Sequence, residues 1–281
     1  MSCGLPDLPC QPSWQRPRRG PRLSRVKRIV TAICGFVLAG LPLPAAGQAQ
    51  EAVAAYVAGD YQAALDCISG AADADSRAFA ARVLLAEAMS LDSGQPPASL
   101  LESALAEANQ ALASQPGHVE GRLQKAIALS LLARPMSLGE LRRSGWGDEA
   151  RQLADTVLAE EPANAYAHAF LAVWNVEVVR RGGTIGAMVK GASLTAAREH
   201  YRAATAATPG DAAIHWQWGR ALTALNAKRY RDEIDAALDA AMASPVDSDL
   251  EGIMQARAAA LKQVLATDGP KAAETKALEM L

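Results

Sequence analysis

The sequence predicts an all-α protein built from repeated helical hairpins, and two observations support this fold class. First, 62 of the 281 residues are alanine. Alanine has the strongest intrinsic helix propensity, and runs of the β-branched residues that favour strands are few. Second, prolines recur at near-regular intervals, each one following an apolar helical segment. This composition argues against sandwiches, barrels and parallel-sheet enzymes, and the length allows one or two domains with a sizeable core.

The first 47 residues have the pattern of a secretory signal peptide behind a long basic region. They contain seven Lys or Arg residues and a single acid, and an apolar run of 13 residues covers positions 29–41. Small residues follow at positions 45–49, and this order is typical of an exported chain. The alternative is a retained membrane anchor, but the apolar run is shorter than the about 20 residues that a spanning helix needs. We expect a periplasmic or secreted protein with no membrane span after cleavage.

The charge of the remaining chain excludes one class of partner. Beyond residue 47 there are 21 basic and 29 acidic residues, a net charge of −8. Nucleic-acid-binding proteins carry a basic face, so nucleic acid is not expected as a partner. Cys67 is the one cysteine beyond residue 47. It lies on an apolar stretch, and we expect it to behave as a small buried side chain.

Helix-ending prolines reveal an internal repeat. They lie 46, 47 and 36 residues apart, at Pro116, Pro162, Pro209 and Pro245. Twelve positions before the first three of them stand the small residues Ala104, Ala150 and Ala197. Glu233 occupies the corresponding place before the last proline. A small residue at a fixed distance from a helix end predicts a close contact between paired helices.

These features resemble the tetratricopeptide repeat. A Gly-Asp-Tyr turn at residues 59–61, followed three residues later by Ala64, matches the junction between the two helices of that repeat. The resemblance covers about residues 50–265 and implies about five helical pairs with a capping helix near 248–266. We therefore expect a solenoid over residues 48–266 and a C-terminal tail over residues 267–281.

The repeats are longer than the 34 residues of the plain tetratricopeptide unit. The surplus falls between the paired helices, at residues 134–143 and 181–190, where Gly, Pro and Ser bound short apolar patterns. We expect loops with a helical turn or two, both on one side of the solenoid.

The long repeat that begins at Ala165 also looks like the helical domain of the regulator-of-microtubule-dynamics family. The similarity lies in the segment from Ala165 to Trp174, which carries His168 and Trp174 before a lengthened connection. This resemblance implies a non-enzymatic adaptor or lipid-contacting helical domain. An exported protein would not share a microtubule role.

Motifs for catalysis and metal binding are missing from the sequence. The glycine-rich segment at residues 182–191 lacks the Gly-Lys-Ser/Thr end of a phosphate loop, and no Gly-x-Ser-x-Gly elbow occurs. The four histidines, at positions 118, 168, 200 and 215, lack the spacing of a metal site. We expect no catalytic residues, no metal, no cofactor and no enzyme activity.

A stripe of residues is predicted on the concave face of the solenoid. In the tetratricopeptide register, positions 2, 5, 6, 9 and 12 of each first helix face the groove, because they share one side of the helix. We call the following nine residues the groove stripe. They are Leu123, Gln124, Ile127, Tyr166, Phe170, Val173, Trp216, Gln217 and Arg220. The alternative, that the insertions or neighbouring helices bury these residues as ordinary core, stays open.

Two functions fit such a stripe. The first is an adaptor that binds a protein or peptide of the cell envelope in an open groove. The alternative is a carrier or sensor of a lipid-like apolar small molecule held in an enclosed pocket. The shape of the concave face distinguishes the two.

Export generates the first testable prediction. We expect a mature amino terminus between residues 46 and 51, because the basic, apolar and small-residue regions occur in that order. Intact-mass measurement of the protein from the cell envelope checks this. A mass that retains residues 29–44 would contradict cleavage and indicate an anchored protein.

Overall fold

The computed structural model describes residues 43–91 and 95–280, with side chains from residue 49 onward. Thirteen helices and no strand occupy these residues, which confirms the all-α prediction. All of the helices belong to one structural unit. In chain order they are α1 (Leu43–Val57), α2 (Tyr61–Cys67), α3 (Ala74–Ser90), α4 (Ala98–Ser114), α5 (Val119–Ala133), α6 (Leu138–Ser144), α7 (Trp146–Glu160), α8 (Ala165–Lys190), α9 (Leu194–Ala207), α10 (Ala212–Asn226), α11 (Arg231–Ala243), α12 (Asp249–Thr267) and α13 (Pro270–Glu279).

The helices form six successive hairpins over the described residues. The first helices of the hairpins are α1, α3, α5, α8, α10 and α12, and their partners are α2, α4, α7, α9, α11 and α13. From α3 onward, each first helix packs against the next one along the chain, and every second helix before α13 contacts the following first helix. This order of contacts is that of a helical-hairpin solenoid. The assignment to the tetratricopeptide type stays a prediction.

The turns between hairpins explain the recurring prolines. Each of Pro116, Pro162 and Pro209 lies shortly after a second helix ends and two residues before the residue that caps the next first helix. In one such turn the Asn164 side chain accepts a hydrogen bond from the backbone N–H of Ala167 at 3.0 Å. A proline cannot continue a helix, and a capping side chain satisfies a free N–H of the next one.

Small residues lie where the paired helices touch. The side chains of Ala104, Ala150 and Ala197 are all fully buried. Gly219 on α10 shows how close the approach is, because a Cβ atom added there would lie 2.9 Å from the Leu238 Cδ2 atom on α11. Larger side chains at these positions would push the helices apart.

The two insertions are more helical than the sequence indicated. The first contains the short helix α6, which begins at a capping box between Ser137 and Glu140. The second continues α8 as far as Lys190, with a break at Gly183. The φ of 61° and ψ of −164° at Gly183 belong to a backbone region that only glycine adopts readily.

The C-terminal residues also differ from the expectation of a tail. Residues 270–279 form α13, which contacts α10 and α12, and its Ala273 and Ala277 side chains are fully buried in the main core. The apolar spacing of these two alanines, four residues apart, gives α13 a narrow buried face. The predicted capping helix, α12, is therefore the first helix of a sixth hairpin.

The last hairpin returns to the beginning of the solenoid. Helix α12 contacts α3, and the Arg257 guanidinium donates hydrogen bonds to the backbone carbonyls of Met89 at 2.6 Å and Leu91 at 2.8 Å. Leu250, also on α12, packs against the cluster of Tyr61 and Val83. These contacts close the solenoid into a ring of five first helices, which are α3, α5, α8, α10 and α12.

The signal-peptide prediction is outside most of this description, because residues 1–42 are not among the described residues. The predicted cleavage range of residues 46–51 falls within the first half of α1. Among the described residues, no helix combines the length and the apolar character needed to cross a membrane.

The helix contacts generate the second prediction. Replacing Ala150 or Ala197 with Phe should lower the free energy of unfolding by about 1 to 3 kcal/mol, because both sites are fully packed. Ala113→Phe, at an exposed site on α4, is the matched control and should change it by less than about 0.5 kcal/mol. Urea unfolding of the three variants measures this. Equal losses at all three sites would contradict the packing described above.

Candidate functional site

The ring encloses a cavity of about 660 Å³. The six first helices form its wall, α6 lies at one end with the last turns of α8, and most of the lining surface is apolar. Small-ligand sites in proteins range over about 300 to 1,000 Å³, and this cavity falls within that range.

Eight of the nine groove-stripe residues line this cavity. They are Leu123, Gln124, Ile127, Tyr166, Phe170, Val173, Gln217 and Arg220. Trp216 does not line it, and its side chain is fully buried in the main core. Helix α10 packs against α8, α11, α12 and α13, so that Trp216 faces neighbouring helices. The structure thus brings together three repeats of the predicted stripe and assigns Trp216 to the core.

An aromatic and aliphatic wall occupies the middle of the cavity. Phe170 on α8 packs against the buried cluster that contains Leu129 of α5, as Trp146 of α7 also does. Val173 lies one turn further along α8 against the main core. Ile127 extends the same surface on α5. This arrangement offers a ligand apolar contact from several first helices at once.

One end of the cavity is acidic. It lies at the amino-terminal ends of the first helices, where Glu120 forms an ion pair of 2.5 Å with Arg82 and accepts a hydrogen bond of 2.7 Å from the Gln124 amide. Asp211 and Glu251 line the same end. Burial raises the pKa of Glu251, and the charge of Asp211 adds to this, although two backbone N–H groups act in the opposite direction.

The opposite end is basic. Arg134 lies at the end of α5, Arg181 in the later turns of α8 and Arg220 in the second half of α10, and all of them line the cavity. Glu177 lies between them. Burial, together with the charge of the neighbouring Arg220, lowers the pKa of Arg134 to about 9. Burial alone would raise the pKa of Glu177, but the charges of Arg220 and Arg180 bring it below its ordinary value. This end therefore has an excess of positive charge.

The sequence analysis missed Arg134, Arg181 and Glu177. Arg134 and Arg181 stand at the starts of the two insertions, which we expected to form loops, and Glu177 lies in the last turns assigned to the first helix of its repeat. An arginine at the start of each insertion was the available signal. Their convergence depends on the curvature of the solenoid and could not be read from spacing.

The inserted segments form a rim around the basic end. Leu138, Ile185 and Val189 line the cavity while 55%, 75% and 71% exposed, so they mark a mouth open to solvent. The rim is attached to α7 by an ion pair of 2.6 Å between Lys190 and Asp148. The Arg151 guanidinium strengthens the attachment by donating to the backbone carbonyl of Lys190.

The histidines do not form a metal site within the described part of the chain. His168 and His200 contact each other, with 2.9 Å between their Nδ1 atoms. Over the described residues, no group of three or more His, Cys, Asp or Glu side chains is arranged to hold a metal ion.

The contrasting positions of two stripe aromatics generate the third prediction. Trp216→Ala should lower the free energy of unfolding by about 3 to 5 kcal/mol, because the indole is fully buried. Tyr166→Ala, at a residue 52% exposed on the cavity edge, should lower it by less than about 1 kcal/mol. Urea unfolding of both variants measures the difference. Similar losses would mean that the two side chains have the same surroundings.

No family model matches this chain, and no curated protein is significantly similar to it. The tetratricopeptide resemblance therefore depends on the residues quoted above. What the protein does must follow from the shape and chemistry of the cavity.

Proposed function

We propose that this protein binds a lipid-like apolar small molecule in the central cavity and acts as its carrier or sensor. The observation that carries the proposal is the apolar cavity of about 660 Å³ inside the ring of first helices, which opens to solvent at the mouth formed by the inserted segments. A ligand inside this cavity exchanges contact with water for contact with apolar side chains. Each Å² of apolar surface removed from water contributes about 25 cal/mol to binding.

The closure of the ring favours this function over the peptide adaptor. An adaptor of the solenoid type binds a helix or an extended peptide along an open concave face. Here the contacts between α12 and α3 join the two ends of that face, and eight of the nine groove-stripe residues line the cavity inside it. A peptide would have to enter through the mouth and could not be laid in from the side. The adaptor remains the competing proposal.

Two further proposals accompany this function. Export to the periplasm or beyond rests on the order of basic, apolar and small residues in the first 50 positions. A non-enzymatic role rests on the lining, in which apolar side chains dominate and no nucleophile is paired with a base. A carrier or sensor needs neither catalysis nor a cofactor.

The fourth prediction tests cavity binding with an uncharged apolar probe. N-phenyl-1-naphthylamine should bind the purified mature protein with an increase in fluorescence. Val173→Trp, which places an indole in the middle of the lining, should weaken this binding by about tenfold, equivalent to about 1.4 kcal/mol. Titration of the probe into the wild type and the variant measures the effect.

Val246→Trp is the matched control, because Val246 is half exposed and does not line the cavity. It should bind the probe like the wild type, and circular dichroism should show that both variants keep their helices. If the probe fails to bind the wild type while an envelope protein co-purifies with it, the adaptor would replace the carrier.

A further inference from the structure

The basic end of the cavity is built from three arginines that lack a carboxylate partner. Over the described residues, Arg134, Arg181 and Arg220 form no ion pair within 4.0 Å. The acid nearest to them, Glu177, is engaged by Arg180 at 2.7 Å. Arginines buried away from water are normally paired, because an uncompensated buried charge is costly.

Backbone carbonyls satisfy part of this arginine cluster. Arg134 donates to the carbonyls of Leu278 at 3.2 Å and Met280 at 3.1 Å, both at the end of α13. Arg181 donates to the carbonyls of Ala133 and Met136 at the end of α5. Carbonyl dipoles at helix ends favour cations, but they carry only partial charges. A structural role in holding α13 and α5 therefore leaves most of the positive charge uncompensated.

Arg220 is the most informative member of the cluster. Its side chain is only 4% exposed, and it lines the cavity. Its Nε atom donates to the Gln217 side chain at 3.0 Å, and its Nη1 atom donates weakly to the Ala277 carbonyl at 3.4 Å. Among the described residues the Nη2 atom has no acceptor, although a guanidinium offers five donors. A donor of a largely buried side chain is thus available at the cavity surface.

The same end joins directly to the apolar wall. Arg220 lies one turn beyond Gln217 on α10, and Arg134 and Arg181 follow the apolar stretches of α5 and α8 that carry Ile127 and Val173. A molecule with an anionic head and a long apolar body matches a basic end that continues into an apolar wall. A free inorganic anion would use only the end, and a neutral hydrocarbon only the wall.

We propose that the cavity binds a single-chain amphiphile with an anionic head, a carboxylate or a phosphate monoester, whose head lies against Arg134, Arg181 and Arg220 and whose chain lies along the wall of α5 and α8. This proposal rests on the proposed cavity function and specifies the class of its ligand. The head supplies the negative charge that the cluster lacks, and arginine binds carboxylate and phosphate oxygens in a bidentate manner.

Ligands of equal chain length provide the test. Displacement of N-phenyl-1-naphthylamine from the purified mature protein is measured with hexadecanoate, hexadecyl phosphate, 1-hexadecanol and inorganic phosphate, each below its aggregation concentration. We expect at least one of the two anionic amphiphiles to bind at least about tenfold more tightly than the alcohol, because charge-assisted hydrogen bonds to a buried arginine are strong. Inorganic phosphate should not displace the probe in the same concentration range.

A charge-removing variant, the fifth prediction, assigns the selectivity to the arginine cluster. Arg134→Gln keeps an amide donor for the α13 carbonyls and removes the charge, so it should abolish most of the acid-over-alcohol preference. Arg143→Gln is the matched control, because Arg143 is exposed on α6 and does not line the cavity. If Arg134→Gln fails to fold, the comparison of the anionic amphiphiles with the alcohol on the wild-type protein still tests the proposal.

The outcomes separate this proposal from the proposed function. Binding of the alcohol as tightly as both anionic amphiphiles would overturn the anionic head and leave the apolar cavity function standing. Displacement by inorganic phosphate as strong as that by hexadecanoate would overturn the amphiphile in favour of a small anion. Failure of the probe and of all three long-chain compounds to bind would overturn both.

Discussion

The close approach of neighbouring helices is the constraint on which the rest of this structure depends. Ala104, Ala150 and Ala197 have no accessible surface, and Gly219 leaves no room for even a methyl group beside Leu238. Small side chains let helices pack at short distances. Successive hairpins packed in this way build the curvature of the solenoid, and that curvature brings α12 back to α3.

Where the second helices pack through small residues, the first helices carry larger apolar side chains on their concave side. Leu123 and Phe170 project from that side, and they cannot fill the interior of the ring. The polar residues at the two ends follow the helix dipoles, with acids such as Glu120 near amino termini and arginines such as Arg134 near carboxyl termini. The cavity is therefore apolar in the middle and oppositely charged at its ends as a direct result of parallel first helices.

Much of this arrangement could be predicted from local spacing. The recurring prolines located the turns, and the register of the first helices placed Tyr166, Phe170 and Val173 on the cavity side. The same register wrongly placed Trp216 on the cavity side, because α13, which we expected to be a tail, helps to enclose α10 on several sides. The register could not predict the contact that closes the ring either. Arg257 and Met89 are 168 positions apart, and no periodicity relates them.

Ring closure has a consequence for how the chain can change in length. In an open solenoid each hairpin contacts only its neighbours, so hairpins can be gained or lost with little penalty. Here Arg257 must reach the carbonyls of Met89 and Leu91. Deleting or adding one hairpin between them would separate these groups and open the cavity. We therefore expect changes that preserve the cavity to occur in loops and side chains and not in the number of hairpins.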